Sequence, residues 1–398
     1  MSDTISTTAV EIRPGILHFA LAMGGFAIGT SEFAAMALIP YFSPSLQIAE
    51  TTASHVISAY ALGVVAGAPV LAVLGARWQR RSLLIALMII YALTHVASAF
   101  AQTYHGMLAY RFASGLPHGA YFGVASLLAA SVVPRGQRSK AVARVMTGLT
   151  VATVLGVPFA NVLGQTVGWR WGFGVVALLA VLCAAMIWIY APRNEVRRTS
   201  SPLAELSALR NRQVLLTLLT GAVGFGGFFA VYAYLTTTVR EVTQAGEAAE
   251  PLVLSVIGLG MVVGTIVVGW FADRWPNLAP FVVMAASGAL MLLYAPAAAA
   301  LGTLLPLVFF IGMSGALSIP LQSRLMDVAG EAQTLAAALN HSAFNTANAI
   351  GPALAAAAIG AGYGYQASGY VGALLSVAGI VCFAVTLRDA RRSASPAR

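Results

Sequence analysis

Acidic side chains are scarce in this chain: 13 Asp and Glu stand among 398 residues, and charged residues of all kinds make up 9%. An average soluble domain carries about 25% charged residues, so an ordinary water-exposed surface is excluded. Cysteine is nearly absent as well. Cys183 and Cys382 both fall late in apolar stretches, which argues against a disulfide framework or a thiolate metal site. There is no Gly-x-x-x-x-Gly-Lys-Ser/Thr phosphate loop, so ATP is not the expected energy source. Clusters of His and acids with metal-ligand spacing are also missing. The chain does not read as an enzyme: no catalytic residue, no cofactor and no metal is expected. Residues 1–14 lack the ordered basic start, short apolar core and small-residue cleavage site of a signal peptide, and none is expected.

What is present is apolar. Hydrophobic residues make up 59% and mean hydropathy is +0.82, which a soluble chain of this length has no means of hiding from water. Apolar runs of roughly 20 residues, rich in Gly and Ala, predict an all-α membrane protein and exclude a β-barrel, whose strands alternate in polarity. The expected spans are 15–38, 53–74, 82–101, 107–132, 142–166, 171–191, 213–236, 252–271, 279–299, 303–321, 333–359 and 366–387. That makes about twelve transmembrane helices.

The net charge of +9 reads as topology and not as nucleic-acid binding, because of where it falls. Nineteen of the 22 Lys and Arg lie on the side of the N-terminus, Arg170 and Arg240 lie opposite, and Arg111 is inside a span. The excess of basic residues marks the cytoplasmic side, so both termini are expected there.

The chain repeats itself. Gly168-Trp169-Arg170-Trp171-Gly172 answers to Gly364-Tyr365-Gln366-Ala367-Ser368, while Gly115 answers to Gly312 and Arg77 to Arg274. The expected organisation is a six-helix half over 1–191, a cytoplasmic linker over 192–212 and a second six-helix half over 213–398, with a site between the pseudo-repeated halves. Leu203, Leu206 and Leu209 in the linker suggest a short surface helix.

Glu32, in Gly-Thr-Ser-Glu-Phe of the first span, is the acid expected well inside a span, and Arg111 the corresponding base. An ionisable group at membrane depth costs roughly 2.5–3.5 kcal/mol on insertion scales and faces a bundle interior or a wet cavity. Both lie at similar depth in one half, either sharing a functional cavity or forming a structural ion pair. Further candidates for a substrate cavity are His118, Tyr121 and Asn161, with Gln165, in the first half, and His341, Asn345 and Asn348, on one helical face, in the second. Asn340 is turned away from that face. These polar groups either bind substrate or hold helices together. Phe228 and Tyr232, within the group Phe225, Phe228, Phe229, Tyr232 and Tyr234, offer either a stacking surface or core packing. His18, His55 and His95 read as interfacial or packed.

At these residues the chain resembles the major facilitator superfamily over essentially its whole length. Gly269-Trp270-Phe271-Ala272-Asp273-Arg274-Trp275 is similar to that superfamily's loop signature. The first-half copy keeps Arg77, Arg80 and Arg81 but has Ala72 and Ala76 where the family usually has Gly and Asp. The resemblance implies a gating role for Gly269, Asp273 and Arg274 with the first-half arginines, in which the Asp pairs near Arg144 and latches an outward-facing state; the alternative is a plain positive-inside anchor. Gly148, Gly156, Pro158 and Gly164 resemble the antiporter signature of the drug:proton branch, or else form a generic packing face with a kink. The segment from Arg111 to Gly119, with Gly-Thr-Ser-Glu-Phe, looks most like the sugar-efflux and chloramphenicol-resistance exporters.

The expected activity is proton-coupled export of small organic molecules such as drugs or sugars across a bacterial inner membrane. Its partners would be a small-molecule substrate, protons and the lipid bilayer, with no nucleic acid and the chain a monomer. A facilitator or uptake carrier for a sugar or metabolite is the alternative, and a non-transporting membrane sensor ranks below both.

Overall fold

Apolar backbone surrounded by lipid satisfies its N–H and C=O groups only within helices or closed barrels, and here it forms helices. The computed structural model describes residues 14–75, 78–134, 138–193, 209–329 and 333–394. The chain begins with α1 (Pro14–Ala37), α2 (Ile39–Ser45), α3 (Glu50–Ala53), α4 (His55–Gly75), α5 (Arg80–Ala99) and α6 (Tyr104–Ser131). Next come α7 (Arg138–Val151), a π turn (Ala152–Gly156), α8 (Val157–Thr166) and α9 (Trp169–Tyr190). Then follow α10 (Arg212–Gly224), α11 (Gly226–Ala233), α12 (Leu235–Glu241), α13 (Ala249–Arg274), α14 (Ala279–Leu292) and α15 (Tyr294–Ala297). Last are α16 (Leu301–Met313), α17 (Ser318–Val328), α18 (Gln333–Ala358) and α19 (Ala367–Ala394). Among the described residues there is no strand. Ala76, Arg77 and most of the linker, with Leu203 and Leu206, lie outside the described residues.

Nine helical stretches among the described residues are long and apolar enough to cross a membrane. α14 is short, whereas α6 and α18 are long but carry the Arg, His and Asn side chains discussed below. Side-chain caps fix two starts. Thr103 Oγ1 accepts from Gly106 N at 3.1 Å, and Asn211 Oδ1 accepts from Gln213 N at 2.9 Å and Val214 N at 3.3 Å, taking up donors that the first helical turn leaves free. The span expected over 213–236 is broken into α10, α11 and α12. Its first break follows Gly224, which lies against Met284 and Gly379 too closely for a side chain.

One face of the bundle collects the starts of α1, α5, α7 and α10 with the ends of α6, α9 and α19. His18 donates to Ala129 O at 3.2 Å and accepts from Arg144 at 3.3 Å. Arg81 donates to Trp188 O and stacks on the Trp188 ring at 4.6 Å, and Arg212 pairs with Asp389 at 3.0 Å. This is the basic face; the opposite one is the far face.

The same packing occurs twice. α1 lies against α9 and α7, α4 against α6, and α5 against α9; correspondingly α10 lies against α19, α11 against α18, α13 against α16, and α14 against α19. At the α4–α6 crossing, a Cβ on Gly115 would stand 3.0 Å from the Gly63 Cα and overlap the Tyr60 carbonyl. At the α13–α16 crossing, a Cβ on Gly312 would stand 3.1 Å from the Gly260 Cα and overlap the Ile257 carbonyl. The shift is 197 positions in each case (63 to 260, 115 to 312). Small residues at both crossings let backbones touch, which is what helix association in lipid relies on.

α1 is held by glycines of the fifth span. A Cβ on Gly148 would overlap Ala22 O, one on Gly156 would overlap Thr30, and one on Gly164 would stand 2.6 Å from Leu38. Pro158 falls in the first turn of α8, directly after the π turn. A proline in the first turn gives up a backbone donor that has no partner within that turn, and a π turn beside it is one of the places where helices change direction.

The paired crossings predict paired sensitivity. Gly115→Val and Gly312→Val each push a branched side chain into a backbone carbonyl, and overpacking of this kind costs about 1–3 kcal/mol or more. Thermal melts followed by size exclusion in detergent should show both variants losing stability, with Gly123→Val, where open space surrounds the glycine, unaffected.

Candidate functional site

Glu32 and Arg111 are both buried, at 6% and 0% residue exposure. The two are near enough for Arg111 to act on Glu32 through charge. Even so, among the described residues no ion pair joins them, which corrects the picture of a simple salt bridge. Arg111 Nη1 instead donates to Ser31 Oγ, one residue before Glu32, at 2.9 Å. Its guanidinium lies 4.2 Å from the Tyr60 ring centre and 5.6 Å from that of Phe173. Aromatic faces hold a desolvated cation in this way. Nε and Nη2 of Arg111 have no hydrogen-bond partner.

Ser31 passes the chain on. Its Oγ lies 2.5 Å from His95 Nε2, and His95 Nδ1 lies 2.8 Å from the Tyr91 carbonyl. A carbonyl only accepts, so Nδ1 carries the hydrogen, Nε2 accepts from the Ser31 hydroxyl, and Ser31 in turn accepts from Arg111. The network therefore suits a neutral His95. Sequence reasoning had His95 as a packed residue and missed Ser31, Tyr60 and Tyr91. The i, i+4 spacing of Tyr91 and His95 in an apolar span was the available signal.

Across from Glu32 stands α18. Asn348 and Asn345 both reach the Glu32 carboxylate electrostatically, without a hydrogen bond of ordinary geometry. Asn345 Nδ2 donates to His341 O at 3.0 Å, while Asn345 Oδ1 and both amide atoms of Asn348 are buried without partners. Beside them α11 supplies an aromatic wall. Phe33, next to Glu32, meets Tyr232 edge-on at 5.2 Å and Phe229 in a stack at 6.1 Å; Phe228 packs at 5.5 Å from Tyr232 and 5.2 Å from Phe225. The Tyr232 hydroxyl is buried and unpaired. Towards the basic face, the Tyr60 hydroxyl lies 2.9 Å from His118 Nδ1 and 3.3 Å from the Tyr91 hydroxyl. His341 stacks on Phe122 at 5.2 Å and lies 6.0 Å from His118.

Several sequence candidates belong elsewhere. Tyr121 donates to Leu21 O at 2.7 Å beside Cys183, so it ties α6 to α1 and α9 and does not face α18. Asn161 donates to Ala37 O at 3.2 Å and to Glu250 at 3.3 Å, and Gln165 donates to Asn161 at 3.0 Å; both form part of the far face. Asn340 donates to Gln322 at 2.5 Å. Of the gating candidates, Gly269 has open space around it. Arg274 stacks on Trp275 at 5.7 Å, and Asp273 is exposed and forms no ion pair with Arg144, which contacts His18 instead. Arg80 begins α5 beside Arg81, and Arg77 lies outside the described residues.

The polar set thus converges between α1, α6, α11 and α18, where a carboxylate, a sealed guanidinium, two amides and aromatic rings meet. Among the described residues there is no group of His, Cys, Asp and Glu placed to hold a metal ion.

Comparison with known proteins agrees with a transporter. The chain is 38% identical to the "Inner membrane transport protein YdhP" of Escherichia coli strain K12, over 90% of this chain and 92% of that protein. It is 33% identical to the "Chloramphenicol resistance protein" of Streptomyces lividans, over 95% and 98% of the two chains. It is 27% identical to a "Probable sugar efflux transporter" of Helicobacter pylori, over 82% and 84%. The model of the Major Facilitator Superfamily matches residues 21–337, which takes in the repeated crossings and every group of the central site except His341, Asn345 and Asn348 on α18, and this helical membrane protein belongs to the major facilitator superfamily.

Proposed function

We propose that this chain exports small organic molecules, such as drugs or sugars, in exchange for protons by alternating access, with Glu32 as the proton-carrying group. One observation carries the reading: a buried carboxylate between α1, α11 and α18, close to a buried guanidinium yet in no ion pair with it. A carboxylate locked in an ion pair holds its charge too firmly to cycle, whereas desolvation alone would keep it protonated; a cation at a distance sets the balance between the two. The unpaired amides of Asn345 and Asn348, the Tyr232 hydroxyl and the Phe33–Phe229–Tyr232 surface would hold substrate, with His118 and His341 lining the route to the basic face. The names of the drug-resistance and sugar-efflux relatives support this substrate range.

On this reading the duplicated contacts correspond to two six-helix halves, 1–191 and 213–398, joined by the linker and acting as a monomer with twelve spans. The basic face is cytoplasmic, by the excess of Arg and Lys there, and the membrane is the bacterial inner membrane. Asp273 belongs to a cytoplasmic latch that is undone in this conformation and forms near Arg144 when the far face opens.

Transport in proteoliposomes under an imposed pH gradient tests the role of Glu32. Glu32→Gln keeps size and hydrogen bonding but cannot titrate, so uphill transport should fall to background while substrate binding persists. Uphill transport at the wild-type rate would remove Glu32 from the coupling. Arg111→Ala should weaken binding and transport together, by about tenfold or more, since a hydrogen bond to a charged group contributes about 1.5–3 kcal/mol.

The latch has its own check. Cysteine cross-linking between the segments around 144 and 273 should trap wild type in a far-open form, and Asp273→Asn should reduce the yield several-fold; an unchanged yield would leave Asp273 without a gating role.

A further inference from the structure

A second buried acid lies outside the central site. Glu250, in the first turn of α13 on the far face, is 2% exposed. Its Oε1 accepts from Arg240 Nη2 at 2.9 Å and Nε at 3.2 Å; its Oε2 accepts from the Tyr41 hydroxyl at 2.7 Å and from Asn161 Nδ2 at 3.3 Å. Arg240 comes from α12, Tyr41 from α2 and Asn161 from α8, so one carboxylate ties the far ends of the first six helices to those of the last six. Burial, reinforced by this carboxylate, pushes the Tyr41 hydroxyl up to about 12, which keeps it a donor.

Glu250 also reaches α1. Asn161 Nδ2, shared with Glu250, donates to Ala37 O at the last residue of α1, and Tyr41 follows that helix by one short turn. Glu32 is on the same helix, five residues before Ala37. Two further contacts bridge the same face, Thr237 Oγ1 to Glu50 at 2.7 Å and Gln165 Nε2 to Glu247 O at 3.1 Å.

We propose that Glu250 is a positioning residue of the transport cycle: by clasping Tyr41 and Asn161 to Arg240, it pins the far end of α1 and keeps the far side closed over Glu32. The proposal rests on the alternating-access reading above. A buried charge satisfied by four donors is stable only while all of them converge, and separating the two groups of helices on the far face withdraws Tyr41 and Asn161 together. Arg240 remains with Glu250, because both stand on the same side of the interface. The carboxylate therefore changes from four donors to two as the far side opens, and the difference biases the equilibrium towards closure.

Spin labels at Ala49→Cys and Ala248→Cys, both exposed far-face positions in the two groups, read the opening directly, with Cys382 replaced by Ser and Cys183 left buried. The full-length protein in nanodiscs should give mainly the short distance. Glu250→Ala should raise the ratio of long to short distances by about tenfold or more, the scale of losing hydrogen bonds to a charge. Tyr41→Phe, which removes one donor and little volume, should give a smaller shift in the same direction and serves if Glu250→Ala does not fold. In transport assays the Tyr41→Phe variant should change the maximal rate more than the substrate concentration for half-maximal rate. A distance distribution unchanged from wild type in the folded variants would overturn the proposal. The distance measurement does not depend on protons, so a failure of Glu32 as the coupling group would appear in the pH-gradient assay and leave this result standing.

Discussion

A guanidinium with no access to water sits among α1, α4, α5, α6 and α9, and the arrangement around it follows from the cost of keeping it there. An Arg at membrane depth needs donors answered and charge spread. Arg111 obtains this from Ser31 on α1, the Tyr60 ring on α4 and Phe173 on α9, with His95 on α5 holding Ser31. Four helices are thereby referred to one side chain. Because Ser31 takes the hydrogen bond, the neighbouring Glu32 is left facing α11 and α18 with a cation and the amides of Asn345 and Asn348 nearby and no ion pair of its own. The site's chemistry is a consequence of that displacement by one residue.

Around this centre, backbone contact replaces the hydrophobic effect as the source of tight packing, since lipid is as apolar as the side chains it meets. Glycines at the α4–α6 and α13–α16 crossings bring helix axes together at matching places in the two groups. The glycine row of the fifth span does the same for α1. Such interfaces slide or separate as units more readily than they deform, because a backbone carbonyl in contact with a glycine leaves no slack. A molecule built this way is suited to moving one group of helices against the other around a polar centre.

Polar groups outside the centre are sorted by the same economy. Tyr121, Asn161, Gln165 and Asn340 each find a partner within a helix junction or on the far face. Asn345, Asn348 and Tyr232 keep unpaired atoms next to Glu32. Buried polar atoms left without partners are costly, and several of them gather beside Glu32. On the far face, by contrast, both oxygens of the Glu250 carboxylate are paired.

Composition and charge placement alone established a helical membrane protein with its basic residues on one face, because the bilayer tolerates few alternatives for an apolar backbone and charge is too expensive to scatter. The rarity of charge inside spans likewise singled out Glu32 and Arg111, and helical spacing grouped His341, Asn345 and Asn348. The repeat at Gly115 and Gly312 was legible because a close crossing demands the same residue twice. What sequence left open was which polar group faces which neighbour. Asn161 and Asn348 look alike in an apolar span, yet one is spent on Ala37 and Glu250 and the other is free beside Glu32, a distinction set by helix rotation and by contacts more than 80 residues apart in the chain. Glu250 stands just outside the expected span 252–271, and Arg111 looked like the partner of Glu32 because depth can be counted along a helix but azimuth between helices cannot. Only the packed bundle decided that Ser31 receives the guanidinium, and so left the carboxylate outside an ion pair.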